Sequence, residues 1–267
     1  MSNLIRVPVT GAELVVESFG AGPALIFAHG LTGTRQGTKQ QFLPLAPQYR
    51  VVVYDQRGHG DSTPVTDPAG YDPVTMAEDM GAVMDALGIA RAIVGGESMG
   101  AATTLTFALR HPERVDRLLL TAPAFGDQPN TEIKRFLDLA DAIETYGMAR
   151  FLEAAAVTWR NDFHWPPDVV ASVGATFRSH DERSLVAALR GVIGWTPLPD
   201  LEVLRSLTAP TCIITWNDDA LHPADLTHRM AARLPGAHVV EFPPLPAIFQ
   251  NPEAVGEIYA RFLDACA

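Results

Sequence analysis

Apolar positions follow two different spacings along this chain. Short unbroken runs rich in β-branched residues predict strands at Glu13–Ser18, Ala24–Ala28, Arg50–Tyr54, Arg91–Gly95 and Val115–Thr121, and again at Thr211–Thr215 and His238–Phe242. Several are apolar without interruption, as expected of strands covered on both faces. Between them, apolar residues recur at three- and four-residue steps. Met76, Met80, Val83, Met84 and Leu87 form one such stripe, closed by Gly88. A second helix runs from Gly100 to about Arg110 and stops near Pro112, and a third carries Val255, Ile258, Tyr259 and Phe262. These stripes read as core faces. Strand and helix in alternation predict βαβ units and a mostly parallel sheet.

Residues 126–200 break that rhythm. Phe136, Leu139, Ala140 and Ile143, then Leu185, Leu189, Val192 and Ile193, keep the helical period, and no strand pattern appears. The stretch holds three of the four tryptophans, Trp159, Trp165 and Trp195. It reads as a helical insertion folded over a core made of residues 1–125 and 201–267. Its aromatic side chains either wall an apolar pocket or pack the insertion onto the sheet.

Composition narrows the function classes. The chain has 267 residues, 47% of them hydrophobic and 19% charged, enough for a sizeable core without staples. Its two cysteines, Cys212 and Cys266, exclude a disulfide framework. The first residues lack the pattern of a signal peptide, and no apolar run approaches the ~18 residues of a membrane span, so the expectation is a cytoplasmic protein. A net charge of −11 disfavours nucleic acid and anionic membranes as partners. The histidines and cysteines lack metal-ligand spacing, and no dinucleotide or Walker-type glycine motif occurs, so neither metal nor cofactor is expected. The expected partner is a small-molecule substrate.

Three motifs carry candidate chemistry, each at a predicted strand end. Gly96-Glu97-Ser98-Met99-Gly100 follows an apolar strand and opens a helix, the context a nucleophile elbow requires. Its glycines permit a tight turn, and the helix N-terminus supplies positive potential for a developing oxyanion. His29-Gly30-Leu31-Thr32-Gly33 is a glycine-rich turn that can aim the Leu31 N–H at the same point as the Met99 N–H. His29 itself reads as a brace for that loop. The segment from Tyr54 to Ser62 reads as an ordered structural turn whose charges satisfy one another.

With these motifs the chain resembles the α/β-hydrolase superfamily, in particular its lid-bearing esterases, enol-lactonases, cofactor-free haloperoxidases and carbon–carbon bond hydrolases. The resemblance implies an α/β fold with a mostly parallel eight-stranded sheet and makes residues 126–200 a helical lid. It implies a nucleophile at Ser98, oxyanion-hole amides at Leu31 and Met99, and a catalytic acid at Asp219, with Asp218 as the fallback. The implied activity is nucleophilic acyl transfer on a small apolar ester, lactone or activated ketone. The alternative is a pocket on the same fold used for binding or for lyase- or isomerase-like chemistry.

One element of the pattern is missing. The family's histidine follows the last strand, about seven residues before a proline, and that register falls on Leu245. No histidine occurs after His238. A serine without a base is a poor nucleophile, so the chain reads as a hydrolase with an incomplete triad, inactivated or trapping its substrate. His222 and His238 are the two substitutes within reach of the site in sequence. Both read more simply as a solvated loop residue and a strand-end residue.

Overall fold

The computed structural model describes residues 3–217, 219–242 and 246–266. Eight strands, β1 (Asn3–Val9), β2 (Ala12–Phe19), β3 (Ala24–Ala28), β4 (Arg50–Tyr54), β5 (Ala92–Glu97), β6 (Val115–Thr121), β7 (Thr211–Trp216) and β8 (His238–Phe242), form one sheet. Their spatial order is β1-β2-β4-β3-β5-β6-β7-β8. The pairs β1–β2 and β2–β4 are antiparallel, and every other pair is parallel. The seven expected strands are present within two residues of their expected ends. Strand β1 completes the eight strands that the family resemblance implies, but no apolar run marks it. It is an edge strand in which only Val7 is buried and Pro8 interrupts the pattern, so it carries little apolar signal.

The helices are α1 (Arg35–Phe42), α2 (Pro73–Ala86), α3 (Met99–Arg110), α4 (Ile133–Asn161), α5 (Pro167–Arg178), α6 (Glu182–Gly191), α7 (Ala224–Ala231), α8 (Pro246–Gln250) and α9 (Glu253–Ala265). Alternation along β3 sorts them into layers. Ile26 joins Met80, Val83, Met84 and Leu105 of α2 and α3 on one face. Leu25 and Phe27 join Phe42, Val255 and Tyr259 of α1 and α9 on the other. The expected stripes of α2 and α9 are therefore core faces, with Leu87 and Phe262 half-buried at their margins. Asp72 fixes the start of α2 by accepting hydrogen bonds from the Val74 and Thr75 N–H groups, each at 3.0 Å.

Between β6 and β7 the regular structure of the described residues is helical and no strand occurs, as the period predicts. Gly147, at φ 78° and ψ 156°, breaks α4 into two helical pieces. Phe136, Ile143, Leu152, Val173, Phe177, Leu185 and Leu189 form a third apolar cluster with Leu31, Met99 and Phe125. The helices α4–α6 thus pack over the C-terminal ends of β3, β5 and β6. No helix among the described residues is long and apolar enough to cross a membrane.

The turn after β4 is ordered by charge pairs, but its partners lie outside the motif. Arg57 donates to both carboxylate oxygens of Asp79 on α2, at 2.7 and 2.8 Å. Asp55 accepts from the Arg35 N–H at 2.7 Å and from the Arg35 guanidinium. Arg57 and Asp79 are both buried, so removing one strands the other's charge. Asp79→Ala is expected to lower unfolding stability by about 3–5 kcal/mol. Asp138→Ala, which removes the exposed partner of Lys134, should change it by no more than about 0.5 kcal/mol. Urea unfolding of the two variants checks the contrast.

Candidate active site

Strand β5 ends at Glu97 and α3 starts at Met99, so Ser98 makes the whole turn. Its backbone stands at φ 53° and ψ −108°, a strained conformation for a residue with a side chain. The flanking glycines are required by close approach. A Cβ on Gly96 would lie 2.1 Å from the Gly100 carbonyl oxygen, and a Cβ on Gly100 would lie 2.1 Å from that of Ala28. The Ser98 N–H donates to the Thr121 carbonyl at 2.9 Å, tying the turn to β6. The Ser98 hydroxyl does not cap α3.

That hydroxyl faces His222. Ser98 Oγ lies 3.0 Å from His222 Nε2, and His222 Nδ1 lies 2.7 Å from Asp219 Oδ2. Both Ser98 and His222 are buried. The sequence holds the reason for this placement within eight residues, Trp216 to Pro223. Asp219 Oδ1 accepts the Leu221 N–H at 2.9 Å, a local turn that brings residue 222 back over its own acid. Asp219 Oδ2 also accepts the Trp216 Nε1–H at 2.7 Å, and the Trp216 ring packs edge-on to the His222 ring at 5.4 Å. Pro223 then restricts the backbone of His222 and opens α7. Burial alone would raise the Asp219 pKa, but His222, the Trp216 N–H and the Leu221 N–H together hold it well below the ordinary carboxylate range. Asp219 is therefore ionised at neutral pH.

Of the residues expected in the site, Ser98, Asp219, Leu31 and Met99 are brought to one end of the sheet. Asp218 and Leu245 lie outside the described residues. His238 begins β8 on an exposed edge, stacked on Phe262 with ring centroids 6.3 Å apart, and takes no part in the site. The histidine that meets Ser98 is His222. Its signal in the sequence is Asp-x-x-His-Pro directly after a buried strand, a spacing that an Asx turn converts into contact.

A cavity of about 340 Å³ opens beside Ser98 and His222. Phe136, Trp159, Trp165 and Phe177 from the helical segment and Phe249 from α8 form an aromatic wall. Trp159 and Trp165 stack with centroids 5.6 Å apart. Trp195 instead packs against Phe125 in the core, so the tryptophans divide between the pocket and packing. Polar Thr38, Gln41 and Glu97 also line the cavity.

The loop after β3 is held by three histidines. His29 accepts the Gln56 N–H at Nε2, 3.0 Å, and donates from Nδ1 to the Gly30 carbonyl, 2.7 Å. The Gly33 N–H reaches the same carbonyl at 2.9 Å. Pinning that oxygen turns the other side of the peptide, the Leu31 N–H, the opposite way. His180, from the segment joining α5 to α6, accepts the Gly60 N–H at Nδ1 and donates from Nε2 to the Thr32 carbonyl, 3.0 Å. His59 lies between the Leu31 carbonyl at 2.7 Å and the Arg57 carbonyl at 2.8 Å. Burial lowers the pKa of His29 and of His59 to about 3, and lowers that of His180. A neutral His59 ring donates to only one of its two carbonyls.

These rings have a consequence for acid stability. The unfolded chain takes up protons at histidine below about pH 6.5, while the buried rings remain neutral. The unfolded state then binds more protons than the native state, so stability falls as pH drops. Each fully buried ring contributes up to about 1.4 kcal/mol per pH unit in this window. The midpoint of urea unfolding is expected to fall steeply from about pH 6.5 towards the folded-state values, and His29→Gln should flatten that slope by up to one proton. An unchanged slope would show that His29 is protonated in the native state.

The chain has wider relatives with the same architecture. A model of the alpha/beta hydrolase fold matches residues 23–249. A protein of Caulobacter sp. strain K31 named "Putative carbamate hydrolase RutD" is 30% identical over 237 residues, covering 81% of this chain and 82% of that protein. The enol-lactonase of Burkholderia xenovorans LB400 superposes with a TM-score of 0.83 at 25% identity, covering 97% of this chain and all of that one. A thermophilic esterase of Thermogutta terrifontis, at 24% identity, shares the fold with a TM-score of 0.81 over 98% of both chains. Match and architecture agree: this chain is a hydrolase belonging to the α/β-hydrolase fold family.

Proposed function

We propose that the protein is a serine hydrolase of small, largely apolar acyl compounds, and that its general base is His222 rather than a histidine after the last strand. The observation that carries this reading is the continuous hydrogen-bonded row Ser98 Oγ, His222 Nε2, His222 Nδ1, Asp219 Oδ2. An incomplete triad, expected from Leu245, is not needed to account for the site. The names of the relatives, a carbamate hydrolase and an enol-lactonase, support an acyl carbon flanked by oxygen or nitrogen as the point of attack.

The chemistry follows from atom positions. His222 Nε2 takes the Ser98 hydroxyl proton as Oγ bonds to the substrate carbonyl carbon. The carbonyl oxygen becomes an oxyanion, held by the Leu31 and Met99 N–H groups. Neither amide donates to another group among the described residues. Asp219 fixes the Nδ1–H tautomer and stabilises the imidazolium. His222 then returns its proton to the leaving group as that bond breaks. In the second half His222 deprotonates the water that attacks the acyl carbon, and its proton passes to Ser98 Oγ as the bond from Oγ to the acyl carbon breaks and the acid product leaves. We assign the helices α4–α6 as a lid over a core formed by residues 1–125 and 201–267. Their aromatic wall favours compact apolar acyl groups and excludes water from the reacting carbon.

Hydrolysis of p-nitrophenyl acetate tests the assignment. Wild type should turn over, with a transient acyl adduct that peptide mapping places on Ser98. His222→Ala and Ser98→Ala should each lower kcat/KM by at least about a thousandfold with the fold retained. Full activity in His222→Ala would overturn the base assignment. An unmodified mass and no p-nitrophenol release from wild type would favour the binding-pocket alternative.

A further inference from the structure

Glu97 is a carboxylic acid beside the nucleophile that the mechanism above does not use. It precedes Ser98 in the elbow and lines the cavity. It sits beside Gly30, where a Cβ would come within 3.5 Å of Glu97 Oε1. Among the described residues no Lys or Arg lines the cavity and Glu97 makes no ion pair. Neighbouring Gln41 is buried and carries an Oε1 without a hydrogen-bond partner among the described residues. Burial raises the Glu97 pKa against the opposing pull of His222 and Gln41, the response of an acid set in a low-dielectric site without a cation. Trp159, Trp165 and Phe177 line the same cavity, and aromatic ring faces attract positive charge.

We infer that Glu97 forms a cation subsite beside Ser98, so that the preferred substrates and products carry an ammonium group on a short apolar stem. The subsite rests on the hydrolase reading for its role in catalysis, but binding to it does not require turnover. An ammonium group would supply the charge that Glu97 lacks and donors for the Glu97 and Gln41 oxygens, while its alkyl stem lies on the aromatic wall. A carboxylate-bearing ligand of the same size would find no cation lining the cavity among the described residues and would hold Glu97 in its neutral form, whereas an ammonium group favours its ionised form, a difference worth an order of magnitude or more in affinity.

Butylammonium, butan-1-ol and butyrate, near-isosteric probes of opposite or no charge, test this directly. Each is titrated as a competitive inhibitor of p-nitrophenyl acetate hydrolysis. Each is also titrated against Ser98→Ala by the fluorescence of Trp159 and Trp165, a readout independent of turnover. Butylammonium should bind at least about tenfold more tightly than butyrate, with butan-1-ol between them. In Glu97→Gln that ratio should collapse to within about threefold. Equal or tighter binding of butyrate to wild type would overturn the subsite, as would a charge preference that survives Glu97→Gln. If Glu97→Gln lowers kcat for the neutral ester but leaves the probe ratio intact, Glu97 acts on His222 and the subsite is also overturned. Selective butylammonium binding by Ser98→Ala, with no ester hydrolysis by wild type, would keep the subsite and reject the serine hydrolase reading alone.

Discussion

The His222 ring is held at both ends, by Asp219 Oδ2 at 2.7 Å and by Ser98 Oγ at 3.0 Å, and the rest of the site is arranged around that suspension. Acid and histidine lie three residues apart on one loop. The Leu221 N–H bond to Asp219 curls the loop, Trp216 supports the acid and flanks the ring, and Pro223 limits the backbone leaving it. A short loop with these contacts loses less freedom on ordering than two distant loops brought together. In the proposed mechanism acid and base therefore share a single element after β7.

The opposite half of the site depends on close backbone packing. Ser98 stands in a strained turn because Gly96 and Gly100 let α3 approach β3 more closely than a Cβ would permit. The neighbouring loop is fixed by neutral histidines that grip successive carbonyls and so set the direction of the intervening N–H groups. One of them, His180, belongs to the helical segment, so that segment is joined to the loop by a directional bond as well as by apolar contact. Asp55 pairs with Arg35 and Arg57 with Asp79, all four outside the residues that line the cavity.

Much of this was legible in the sequence wherever the determinant is local. Unbroken apolar runs marked the buried parallel strands, and the Gly-x-Ser-x-Gly motif between a strand and a helix marked the elbow. Strand β1 was hidden because an edge strand with one buried residue has almost no period to read. The charge pairs of the turn after β4 were expected within the motif, but their partners, Arg35 and Asp79, come from neighbouring helices that no spacing reveals. His222 is visible in the sequence as a candidate but carries no local signal that singles it out. Asp-x-x-His-Pro reads as an exposed loop until the turn at Asp219 is built, and only the fold shows that the ring then points at Ser98 across 124 residues.

The central claim is that Ser98, His222 and Asp219 form one hydrogen-bonded unit in solution. Proton NMR of protein labelled with ¹⁵N at histidine observes its key atom, the proton on His222 Nδ1. The account predicts a strongly downfield, slowly exchanging resonance, assigned to His222 by its loss in His222→Gln. It should move when a phosphonate modifies Ser98 and vanish in Asp219→Asn. A His222 ring with fast-exchanging protons, indifferent to both changes, would contradict the account.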